Sequence, residues 1–271
     1  MFIDTNNIIY LSSIQYRWIT ILTERNVTQI FGNISVASSV FVSVSGDIYV
    51  DNGGYYGQIN RWSPNTTAFE TAKYVSSYCA GLFLDINNDV YCSLVYMNQV
   101  VKGSITTDPY DVSTIAGIGC SSSTPKGLSQ PRGIFVDTNL DLYVADYGNN
   151  RIQLFKPGFI NGTTVAGRGM SGSIILNNPG DVVLDGNGYM FISDAGNHRI
   201  IGSYQNQFWC VVGCSAGNGG SSQQLNVVLG IKFDSYGNIF AIDAGNNQLQ
   251  KFLLSSNSCG ESSSNKRSIF M

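Results

Sequence analysis

Residues Ile134 to Phe155 read IFVDTNLDLYVADYGNNRIQLF, and the order of residue types in that stretch decides the fold. An apolar-x-apolar run ends in Asp137, a short polar turn follows, a second run is centred on Tyr143, and a Gly-Asn turn leads into a third alternating run, RIQLF. Period-two alternation broken by Asp, Asn and Gly marks strands joined by tight turns. The same unit returns as VVLDGNGYMFI (Val182 to Ile192) and IKFDSYGNIFA (Ile231 to Ala241). Weaker copies are FIDTNNIIYL (Phe2 to Leu11), FVSVSGDIYV (Phe41 to Val50, with Ser43 in the Asp place) and LFLDINNDVYC (Leu82 to Cys92).

The aromatic anchors of these six units are Tyr10, Tyr49, Tyr91, Tyr143, Phe191 and Phe240, about 39 to 52 residues apart. That spacing holds four short strands with their turns, which is one blade of a radial repeat. The expectation is an all-β, six-bladed β-propeller of four-stranded blades. Third strands are expected at Arg151–Phe155, Arg199–Tyr204 and Gln248–Phe252, and fourth strands at Thr163–Gly167 and Phe208–Gly213. The last blade runs out after three strands, so residues 1–254 form the ring and 255–271 a Ser-rich tail. Its outer strand is expected from a segment upstream of Met1 or from the tail itself, and the upstream segment is favoured.

Composition limits the function classes. Only 12% of the 271 residues are charged, the net charge is −3, and no basic run occurs, which argues against nucleic acid as a partner. No apolar stretch is long enough to cross a bilayer, so no membrane insertion is expected. Six cysteines at dispersed positions in a charge-poor chain favour disulfides, with Cys79–Cys92 and Cys210–Cys214 as the local pairings. An extracellular location follows as an expectation, with any signal peptide lying upstream of Met1.

The segments VADYGNNRIQLF (Val144 to Phe155), ISDAGNHRIIGSY (Ile192 to Tyr204) and AIDAGNNQLQKF (Ala241 to Phe252), with PRGIFVD before the first, resemble the NHL repeat. The match is strong over blades four to six and weak over blades one to three. It relates Asp146, Asn149 and Arg151 to Asp194, Asn197 and Arg199, and to Asp243 and Asn246, where Gln248 stands in place of Arg. An acid and a base at this spacing suit charge-assisted bonds across a tight turn, so these eight residues are taken as a structural motif. The family's functions are diverse, and fold alone transfers none of them.

Catalytic groups are scarce. His198 is the only histidine and occupies an ordinary repeat position, so a His-rich zinc site cannot be assembled. Glu24, Glu70 and Glu261 are the only glutamates, and Asp4, Asp85, Asp137, Asp185 and Asp234 sit where Asp bonds its own backbone in hairpin turns. Neither an enzyme nor a cofactor or metal is expected. The expected role is a binding or scaffold ring that engages a protein or glycan through one loop face. Arg132 and Asp181, at the start of innermost strands, and the loop aromatics Tyr55, Tyr56, Tyr96 and Tyr147 are the candidate contacts. Resemblance to the propellers of tripartite-motif ubiquitin ligases implies a substrate-recognition role as the alternative, and a calcium-dependent hydrolase is third.

Overall fold

The computed structural model describes residues 1–13, 18–31, 34, 37–53, 57–66, 68–214, 224–253 and 266–270, with the backbone alone at 31 and 266–270. The described strands form six four-stranded antiparallel sheets, each following chain order from the axis outward. The innermost strands are Phe2–Ile3, Val40–Val42, Cys79–Leu84, Pro131–Val136, Pro179–Leu184 and Val228–Phe233. Each pairs with a second strand carrying an aromatic anchor, in one shared register: Phe2 opposite Tyr10, Phe41 opposite Tyr49, Phe83 opposite Tyr91, Phe135 opposite Tyr143, Val183 opposite Phe191 and Lys232 opposite Phe240.

Turn chemistry sets that register. In blade four, Asp137 Oδ1 accepts the backbone N–H groups of Asn139 and Asp141 at 2.8 and 2.9 Å, and Asp4, Asp85, Asp185 and Asp234 repeat the pattern. A carboxylate that bonds two donors of its own turn fixes the hairpin and so places every following side chain. These turns share one face of the ring, called lower here. The starts of the innermost strands share the opposite, upper face.

Blades are held together by apolar layers. Ile9, Leu11, Phe240 and Leu249 pack blade one on blade six, and comparable clusters fill the other interfaces. Each sheet has two apolar faces that only its neighbours cover, so burial is completed by closing the ring. In blade six the consecutive strands end at Phe252, and a separate strand, Lys266–Phe270, pairs with Gln248–Phe252 from outside. The tail, one of the two routes open from the sequence, lies along this edge in the structure. The unpaired outer edge of a third strand is a template for any nearby chain, and KRSIF pairs along it.

Two cross-links accompany the sheets: Cys79–Cys92 between the first two strands of blade three, and Cys210–Cys214 at the end of blade five. Cys120 is a free thiol on the surface, and Cys259 lies outside the described residues.

Candidate functional site on the upper face

Every second strand of blades four to six ends in an Asp that organises the upper face. Asp146 Oδ2 accepts Asn149 Nδ2 at 2.8 Å and Arg151 Nε at 2.7 Å, while Oδ1 accepts the backbone N–H of Ser129 at 2.7 Å. Arg151 then donates to the carbonyls of Ser123, Thr124 and Gly127, tying down the loop that enters the blade. Asp194 repeats this with Asn197, Arg199 and Asn177 N–H, and Asp243 with Asn246, Gln248, Gln250 and Asn226 N–H. Burial pushes the Asp146 carboxyl up, against the pull of Asn149, Ser129 and Arg151. A Cβ at Gly196 would lie 2.5 Å from Asn177 Cγ, so the glycine of this turn is required by the loop crossing over it.

In blades three, four and five a left-handed residue just before the third strand reaches the following blade. Asn98 Oδ1 accepts Gln130 N–H, Asn150 Oδ1 accepts Asn178 N–H, and His198 Nδ1 accepts Val227 N–H at 3.0 Å. His198 thus serves as an inter-blade acceptor where other blades use Asn.

Inside the ring the repeat becomes a lining. Phe2, Phe41, Phe83 and Phe135 form a row of consecutive ring contacts, with centroids 4.5, 5.3 and 5.4 Å apart. Val183 and Lys232 take the same register position in blades five and six. Lys232 breaks the apolar row beside a second irregularity. Gly81 opposite Ser93 and Gly230 opposite Ile242 hold the place that Asp181, opposite Ser193, takes in blade five. The two exceptions answer each other: Lys232 Nζ lies 2.9 Å from Asp181 Oδ2. Asp181 also accepts the backbone N–H groups of Val182 and Ile231, and is only 6% exposed. A Cβ on Gly133 would come within 2.1 Å of its Oδ1, so blade four makes room for this carboxylate.

Above the lining, the channel opens into a recess of about 460 Å³ walled by Ser38, Tyr78, Leu82, Arg132, Ile134, Asp181, Leu229 and Lys232 among others. Arg132 lies over Tyr147, with its guanidinium carbon 4.1 Å from the ring centroid. Its Nε is buried and has no hydrogen-bond partner among the described residues. Tyr78 meets Tyr96 edge-on at 5.2 Å, and burial together with Tyr96 raises its hydroxyl pKa. Ser38 Oγ lies 2.5 Å from Asp51 Oδ2. Asp51 is fully buried, and desolvation pushes its carboxyl up to about 6, although the Ser38 hydroxyl and the backbone of Cys79, Ser38 and Gly53 pull the other way.

Of the candidate contacts, Arg132 and Asp181 line this recess, and Tyr147 touches it only through Arg132. Asp181 is committed to Lys232 and two N–H groups, so it shapes the wall instead of presenting a free carboxylate. Tyr96, 75% exposed, meets the recess only through its contact with Tyr78. Tyr55 and Tyr56 lie outside the described residues. Sequence reasoning passed over Lys232, Tyr78 and Asp51. Aligning the innermost strands by their anchors would have shown Lys232 as the one charge in an otherwise apolar column. Among the described residues no group of three or more His, Cys, Asp or Glu side chains gathers as a metal site.

Residues 128–155 match the NHL repeat family. No curated protein matches the chain. Among solved structures, a Bacteroides thetaiotaomicron protein of unknown function is similar with a TM-score of 0.74 at 13% identity, over 91% of this chain and 66% of that one. This chain therefore spans slightly under two thirds of that protein. A chain of a nidogen/laminin complex gives 0.69 at 15% identity, over 90% and 88%. A catalytically inactive virginiamycin B lyase of Staphylococcus aureus, solved with quinupristin, gives 0.67 at 10% identity, over 99% and 82%. Identities this low show the fold alone.

Proposed function

From a chain that is a six-bladed β-propeller carrying an NHL repeat, we propose an extracellular binding or scaffold ring that engages a protein or glycan through its upper face. The observation that carries this reading is Arg132, a guanidinium set over Tyr147 at the lip of the channel, whose buried Nε has no partner among the described residues. Arginine and tyrosine fixed in place at a recess are the residue types that dominate binding energy, because little side-chain entropy remains to be lost. The nidogen/laminin neighbour and the two disulfides support an extracellular setting. The lyase neighbour raises the alternative of chemistry at the same place, but His198, the chain's only histidine, is engaged between blades five and six.

The test is a screen of extracellular proteins and glycans against the purified ring and two double variants. Arg132→Ala with Tyr96→Ala alters the upper face. Val44→Ser with Ile86→Ser alters lower-face hairpin tips, where both side chains are exposed. Binding lost only in the upper-face variant supports the proposal. Loss only in the lower-face variant, or no binder at all, contradicts it.

A further inference from the structure

We infer that the recess at the upper mouth of the channel takes a carboxylate carried on a small apolar body, with Arg132 as the group that receives it. The inference rests on reading the upper face as the binding surface and names the chemistry of what seats there. The charged side chains along its wall are two cations and one carboxylate, and burial lowers the pKa of the Met1 amino group beside them to about 5, which leaves it neutral at pH 7. Lys232 is neutralised by Asp181 at 2.9 Å, which leaves Arg132 as the uncompensated charge. Arg132 makes no ion pair among the described residues; it lies over the ring of Tyr147, a contact that uses none of its hydrogen-bond donors. A buried guanidinium N–H with no acceptor is costly, and a planar fork of donors matches a carboxylate in geometry as well as charge.

Two further polar groups of the wall are already engaged. Ser38 and Ser39 donate to the carbonyl of Cys79, and Ser38 also bonds Asp51, so they offer a ligand little further polarity. The apolar part of the wall is formed by Val40, Leu82, Ile134, Leu229 and Ile242. One unpaired positive charge over an apolar wall suits a monoanion with a hydrocarbon portion. A phosphate dianion would need a second cation, and Lys232 is not free to supply it. A volume of about 460 Å³ falls in the range of small-molecule sites.

Nitrogen-15 spectra of the arginine side chains of the intact chain, with the Arg132 signal assigned by Arg132→Lys, test this. Benzoate, benzamide and methyl phosphate are the probes. Benzoate is expected to shift the Arg132 Nε–H signal with a dissociation constant on the order of a millimolar, reasonable for so few atoms. Benzamide, its neutral counterpart, and methyl phosphate are expected to bind at least tenfold more weakly, and Arg132→Lys, followed through the backbone amide signals of Gly81 and Gly133, to weaken benzoate at least tenfold. N-acetyl-leucine against its amide then distinguishes a peptide C-terminus from a free acid: tighter binding than benzoate points to the former, weaker to the latter, and either supports a carboxylate site. Equal binding of benzoate and benzamide, a preference for methyl phosphate, or no Arg132 shift at tens of millimolar overturns the inference. If it fails while the upper-face variant still loses its partner, the carboxylate is wrong and the binding surface stands.

Discussion

Asp51→Asn should stabilise the ring, and the gain should depend on pH. Blades one, three and five place Ser12, Ser93 and Ser193 two residues after their aromatic anchors; blade two places a carboxylate there and buries it completely. Desolvation lifts the Asp51 pKa from the ordinary 3.8 to about 6. The folded chain therefore holds this proton more tightly than the unfolded chain. Between about pH 4 and pH 6 the native state binds more protons, so stability falls as pH rises through that window. Below it the group is neutral in both states and costs nothing; above it the full penalty is present. A shift of roughly two units corresponds to about 3 kcal/mol. Asparagine keeps the shape and an acceptor for Ser38 while removing the charge. Urea unfolding of both proteins at half-unit steps from pH 4 to 7.5 should show a stability difference near its minimum at pH 4 and growing by about 3 kcal/mol by pH 7. Taking differences cancels other titrating groups common to both proteins, Asp146 included. A difference that stays flat across this range would refute the reasoning, whatever its sign.

Other outcomes follow from the same contacts. Asp146→Ala leaves Arg151 buried with its carboxylate gone, and urea unfolding should show a loss of about 3–5 kcal/mol. His198→Ala should cost about 0.5–1 kcal/mol by removing the acceptor for Val227 N–H, while His198→Asn, the residue type of the other blades, should restore most of it in the same assay. Val227 holds a φ of 53°, which a β-branched residue adopts only with strain, so Val227→Asn should raise stability by about 1 kcal/mol, seen as a higher melting temperature. Replacing Cys79 and Cys92 together by Ala should cost about 3 kcal/mol, measured against the oxidised parent.

The fold was legible because its signals are local. Asp137, Tyr143 and the Gly148–Asn149 turn occur within a dozen residues, and third strands read from the sequence at Arg151–Phe155, Arg199–Tyr204 and Gln248–Phe252 occur at those bounds. The closing strand of blade six was not legible, since Lys266–Phe270 carries no anchor or turn signal and its place depends on which edge is left open. At the upper face, Arg132 and Asp181 could be placed by their position at strand starts. The partner of Asp181 could not, because Lys232 lies in the next blade and its pairing depends on ring geometry. His198 shows the same limit: its turn is local, but the N–H it receives comes from the next blade.

Hydrogen exchange of the ring with and without the strongest binder from the extracellular screen tests the central claim most directly. Slowed exchange is predicted at the upper mouth, around Ser38–Ser39, Tyr78–Gly81, Arg132 and Tyr147, with the lower hairpins at 43–47 and 85–89 unchanged. Protection confined to those lower hairpins, or spread along the outer strands with the mouth untouched, would contradict a binding ring that acts through its upper face.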